Sequence, residues 1–170
     1  MKPAPVTLPS FCAQRTDFEA ATCIVGAGET ALLAEPLLGL IASRECPGHV
    51  LLETLDRVPQ WVKAGRVIVS GFHSPLEQQV LRSVLRRKGR VVKLLARGML
   101  DYRPAAEEHE PMSAGRMLVI TACPPEVRRT TRETALARNR LVLALASEIV
   151  TPYVAGGSPL AALLNERGGT

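Results

Sequence analysis

The chain has 170 residues, a length at which one domain buries a core without disulfides or a structural metal. Apolar residues make up 46% and aromatics only 4%, which excludes large-scale disorder and predicts a core of Leu, Val, Ile and Ala, as in parallel sheets packed between helices. The net charge of +5 and the isoelectric point near 9.4 favour anionic partners such as nucleotides or nucleic acid. Ordinary solubility is the plainer account of the same excess.

Residues 1–35 are rich in Pro, Ala and Thr and read as an amino-terminal arm with a short helical turn at Thr30–Ala34. Within it, Gly26-Ala27-Gly28-Glu29-Thr30-Ala31 matches a dinucleotide fingerprint by letter, but Pro36 cuts off the helix that such a site needs. Leu37–Ser43 is a continuous apolar run and predicts the first buried strand. His49–Lys63 has helical spacing, and Pro59 is expected to bend or divide it.

Val67–Val69 forms the second strand, and Ser74-Pro75-Leu76-Glu77 opens a helix to about Arg87 with a capping box. Val91–Leu95 is the third strand, and Tyr102–Ala114 reads as a polar surface loop. Met117–Ile120 gives the fourth. Thr130 with Glu133 offers a capping box for a helix to about Ala146. Ile149–Val154 completes the strands, and Ser158-Pro159 starts a last short helix. Strands alternating with helices, without hairpin dipeptides, predict an α/β fold: residues 36–170 form a Rossmann-like open parallel sheet of about five strands with helices on both faces.

In such sheets ligands lie beyond the carboxyl ends of the strands. The turns there carry Ser43, Arg44 and Gly48; Ser70, Gly71, Phe72, His73 and Ser74; Thr121-Ala122-Cys123; and Ala155, Gly156, Gly157 and Ser158. Amides at helix starts and the helix dipole make these turns phosphate sites, although Ser and Gly also cap helices and turn corners for purely structural reasons. The arginine run Arg82, Arg86, Arg87, Lys88, Arg90 fits a solvated outer face better than a nucleic-acid grip. Phe72 is the aromatic best placed to stack on a base.

Cys12, Cys23, Cys46 and Cys123 form no C-x-x-C pair and fit a reducing compartment. Cys46 and His49 near His73 or Cys123 make a metal site conceivable, but small buried thiols are the commoner role. The residues call for no metal and no cofactor. No nucleophile, base and acid fall into a triad, so an enzyme is not the leading expectation. No apolar stretch has signal-peptide or membrane-span length, which predicts a cytoplasmic protein without membrane contact.

The succession S-G-F-H-S-P-L-E, G-R-V-V-K-L-L-A-R-G-M, L-V-I-T-A-C-P-P, A-R-N-R-L-V-L-A-L-A-S and V-A-G-G-S-P-L, over about Leu38 to Leu164, resembles the core of the DNA-processing protein A (DprA/Smf) family. The resemblance implies an extended Rossmann fold that binds single-stranded DNA, serves natural transformation and associates as a homodimer. Ser43 and Arg44 stand at the family's Ser-Arg loop, Ser70-Gly71 at its second glycine loop, Arg138, Asn139 and Arg140 at its Arg-Asn-Arg element, and Gly156, Gly157 and Ser158 at its last turn. His73 replaces a basic residue usual in the second loop. The chain stops short of the family's next strand and winged helix, which reads as a stand-alone minimal relative and puts its recombinase partner in question.

Arg44, Arg138 and Arg140 are thus expected on phosphates. The alternative is a domain that senses or hydrolyses a small nucleotide, akin to LOG-type phosphoribohydrolases. Their P-G-G-x-G-T-x-x-E signature, with its catalytic carboxylate, is absent from Val154–Leu160.

Overall fold

The computed structural model describes residues 2–10 and 23–168; Cys12 and much of the expected amino-terminal arm lie outside them. The strands are β1 (Ala4–Pro5), β2 (Val25–Gly28), β3 (Leu37–Leu40), β4 (Val67–Ser70), β5 (Arg90–Leu95), β6 (Met117–Thr121) and β7 (Ala146–Val150). The helices are α1 (Gly48–Lys63), α2 (Pro75–Arg86), α3 (Ala106–Ser113), α4 (Arg132–Leu145) and α5 (Pro159–Gly168), with a 3-10 turn at Thr30–Ala34.

All seven strands form one sheet in the order β1-β2-β6-β5-β4-β3-β7. The expected five parallel strands form its body, and two antiparallel strands from the amino-terminal arm extend it beyond β6. The sequence pattern does not mark them, because β1 has only two residues and Gly26 and Gly28 weaken the β-propensity of β2. Both glycines are needed for close approach. A Cβ on Gly26 would lie 2.7 Å from Ile120 Cγ2, and one on Gly28, at φ +115°, would collide with the Met117 carbonyl. The fingerprint-like glycines therefore lie within β2, paired on both sides by β1 and β6, rather than in a strand-to-helix turn, which ends the dinucleotide reading.

Side chains alternate between two apolar layers, as a sheet covered on both faces requires. Leu37, Val67, Val69, Val92, Leu94, Leu118 and Ile120 face one layer with Leu141, Leu145, Leu160 and Leu163 of α4 and α5. Leu38, Leu40, Ile68, Val91, Met117 and Val119 face the other, with Val58 of α1, Val80 and Val84 of α2 and Met112 of α3. The chain steps from β3 through β4 and β5 to β6 in one direction, then reverses to place β7 on the far side of β3.

Several local expectations change. α1 runs unbroken through Pro59, because its apolar face is anchored at Val58 and by the packing of Leu55 and Trp61. Tyr102–Ala114 contains helix α3 rather than only loop. There Glu108, 2% exposed, accepts from Lys93 Nζ at 2.5 Å, Tyr102 Oη at 2.6 Å and Ala105 N at 3.0 Å. α4 is capped one residue later than expected, Thr131 Oγ1 accepting from Thr134 N. β7 begins at Ala146 with no intervening loop, earlier than the expected Ile149. Its pairing with β3 decides this: Ser147 Oγ donates to Leu37 O at 3.0 Å, and the Ala146 Cβ lies 2.7 Å from where a Cβ on Gly39 would stand.

Burial by itself raises the Glu108 carboxyl, but the bonds from Lys93 and Tyr102 outweigh it and hold the group below its ordinary value of 4.5. A carboxyl lowered in the fold stabilises at every pH above its ordinary value, and that contribution drains away as pH falls through the lowered one. Glu108→Gln leaves the Lys93 ammonium without its anion and should cost on the order of 3 kcal/mol in urea unfolding at neutral pH. The gap from the parent chain should narrow once pH drops below 4.5.

Candidate nucleic-acid interface

Because β3 to β7 are parallel, apart from the antiparallel edge, the turns after β3, β4, β5, β6 and β7 open on one edge of the sheet. The reversal of strand order lies between β3 and β7, where the two flanking turns part and leave a crevice. A cleft of about 400 Å³ opens there. It is lined by Ala42, Ser43, Arg44 and Glu45 after β3, by Arg132, Ala135, Leu136 and Asn139 of α4, and by Ala155, Ser158, Pro159 and Leu160.

Hydrogen bonds tie the cleft walls together. Ser43 Oγ accepts from Ala155 N at 2.8 Å, and Ser43 N donates to Tyr153 O at 2.9 Å. Ser158 Oγ caps α5 by accepting from Ala161 N at 3.1 Å. Arg44 and Arg132 are exposed, and neither makes an ion pair with a described residue. Gly156 and Gly157 are exposed on the turn beside the cleft, with open space where a Cβ would stand, and Gly157 takes φ +68°. Gly48 lies apart, exposed at the first turn of α1.

The turn after β4 is built differently from the expectation of a phosphate cradle. Its amides are already taken: Phe72 N donates to Ser70 Oγ at 3.0 Å, while His73 N and Ser74 N donate to Glu77 Oε2 at 2.8 and 3.2 Å. Glu77, 4% exposed, also accepts from Ala42 N at 2.9 Å, joining this turn to the one after β3. The start of α2 thus carries its own anion. Phe72, at φ 47°, turns its ring into the core at 5% exposure, so it is not available to stack on a base. His73 is exposed and Ser74 is the buried cap of α2.

Gly71 has a specific duty, since the Arg138 guanidinium lies directly over it; a Cβ there would sit 2.7 Å from Arg138 Cζ. Arg138 Nε and Nη2 both donate to Asn139 Oδ1, at 3.2 and 3.0 Å. Burial lowers the Arg138 pKa, and the charge of Glu77 counters it; an arginine stays cationic regardless. Arg140 points elsewhere, pairing with Glu166 of α5 at 3.4 Å.

The structure therefore brings Ser43, Arg44, Asn139 and Ser158 into one cleft and leaves Gly48 and Arg140 outside it. It adds Arg132, one of the clustered arginines Arg128, Arg129, Arg132, Arg138 and Arg140. Glu77 was legible as a cap, but its reach to Ala42 was not. Among the described residues no group of three or more His, Cys, Asp or Glu is placed to hold a metal ion, and no helix is long and apolar enough to cross a membrane.

The family model for DNA recombination-mediator protein A matches residues 9–158. No curated protein matches the chain. The fold is similar to that of DNA processing protein A from Streptococcus pneumoniae, at a TM-score of 0.74 and 20% identity, covering 95% of this chain and 56% of that one. It is also similar to DNA processing protein A from Helicobacter pylori, described for its single-stranded DNA binding mode, at 0.77 and 19% identity over 96% and 75%. The chain thus spans little more than half the length of the first of these proteins.

Glu77→Ala would leave the buried amide of Ala42 and those of the β4 turn without acceptors, at about 1–3 kcal/mol for each group left unpaired. The expected result is a lower melting temperature with faster hydrogen exchange at Ala42, His73 and Ser74, and little change in α3. Hydrogen-exchange mass spectrometry checks it.

Proposed function

The chain belongs to the DNA recombination-mediator protein A family, and from that premise we propose that it binds single-stranded DNA at the β3–β7 cleft. One observation carries the reading: two exposed arginines without ion-pair partners among the described residues, Arg44 and Arg132, flank a cleft at the point where the strand order reverses. Unpaired cations at such a crevice suit a phosphate backbone. Gly156, Gly157 and Ser158 fit beside a phosphate at the start of α5.

Among the described residues no aromatic side chain lines the cleft, so phosphate contacts rather than base stacking supply the affinity there, and base preference should be weak. The function is that of a binding module in DNA processing. A small nucleotide is the second reading, favoured by a volume within the range of roughly 300–1,000 Å³ usual for small-ligand pockets. A thermal-shift panel separates the two, because a specific mononucleotide stabilises the fold by mass action.

Fluorescence anisotropy with a labelled oligothymidylate should show affinity falling as salt rises. Arg44→Ala and Arg132→Ala should each weaken binding and reduce the slope of log affinity against log salt by about 0.7, the value per contact on a single strand. Absence of binding at low salt, or a double variant that binds like the parent, would refute the assignment.

A further inference from the structure

Asn139 lines the cleft, whereas Arg138, its neighbour in α4, does not. The two N–H bonds from Arg138 Nε and Nη2 converge on Asn139 Oδ1. A guanidinium has only donors, so an asparagine facing it must present its oxygen. The amide's other end, the Nδ2 amino group, is then left for the cleft. The guanidinium itself is confined from below, because a Cβ on Gly71 would lie 2.7 Å from its Cζ and 2.8 Å from its Cδ.

Resting on the nucleic-acid reading, we propose that Arg138 is a positioning residue that holds Asn139 as a hydrogen-bond donor into the cleft, making the site select the phosphate oxygens of the strand. Without the arginine the amide is free to turn over and offer an oxygen, which repels a phosphate. Gly71 belongs to the same device, since any larger residue displaces the guanidinium. The signature Arg-Asn pair thus divides its labour: the asparagine touches the ligand and the arginine sets which end of the amide it shows.

Asn139→Asp separates this from a structural role. It keeps an acceptor toward Arg138 and exchanges the cleft-facing amino group for an oxygen. The melting temperature should stay level or rise, while affinity for a labelled oligothymidylate falls by about tenfold or more. Asn139→Leu removes the acceptor and should lower the melting temperature as well. Arg138→Met should weaken binding by less than Asn139→Asp does, because the freed amide can still turn its amino group toward the strand.

Parent-like binding by Asn139→Asp, or parent-like melting by Asn139→Leu, overturns the proposal. If the parent chain itself binds no oligonucleotide at low salt, the nucleic-acid reading falls instead. The melting of the two Asn139 variants still decides whether Arg138 holds Oδ1.

Discussion

The buried carboxylate of Glu77 is the constraint on which the binding edge rests. Parallel strands that end together leave several turns crowded at one edge, each with amides that need acceptors away from water. Glu77 supplies two oxygens to three of those amides, from Ala42, His73 and Ser74, and so locks the turn after β4 to the turn after β3. Its charge sits at the positive end of α2, where it is favoured by the helix dipole. The same fact makes that helix start a poor place for an external anion.

The arginines divide along similar lines. Arg90 pairs with Glu35 and also donates to Gly65 O, Arg66 pairs with Glu148, and Arg116 pairs with Glu110. These join neighbouring elements at the end of the sheet opposite the cleft. Arg82 reaches Glu107 of α3 at 3.8 Å. A net positive charge is therefore a blunt indicator: much of the basic composition is spent on holding elements together. Only positions such as Arg44 and Arg132, exposed at the crevice, carry the functional argument.

Agreement in fold at 19–20% identity with two DNA processing proteins has a simple physical basis. A doubly covered parallel sheet asks for apolar residues of the right pattern at each strand position, and many sequences satisfy that. Steric necessities are stricter. Gly98, where a Cβ would stand 2.6 Å from Pro124 O, admits no side chain, and a side chain at Gly71 would displace the Arg138 guanidinium.

The linear chain by itself determined the parallel core, the two apolar layers, the capping box of Ser74 and Glu77, and the strand-end edge that carries Ser43, Arg44 and Ser158. These are local matters of period, apolar run and cap, and they survive without knowledge of neighbours. Only the tertiary structure decided that Phe72 turns inward, that Arg140 turns away to Glu166, that Pro59 leaves α1 whole and that β7 starts at Ala146. Each of those outcomes depends on what a residue meets across space, the core under Phe72 or the strand beside Ala146, and a sequence pattern does not record which distant surface will be there.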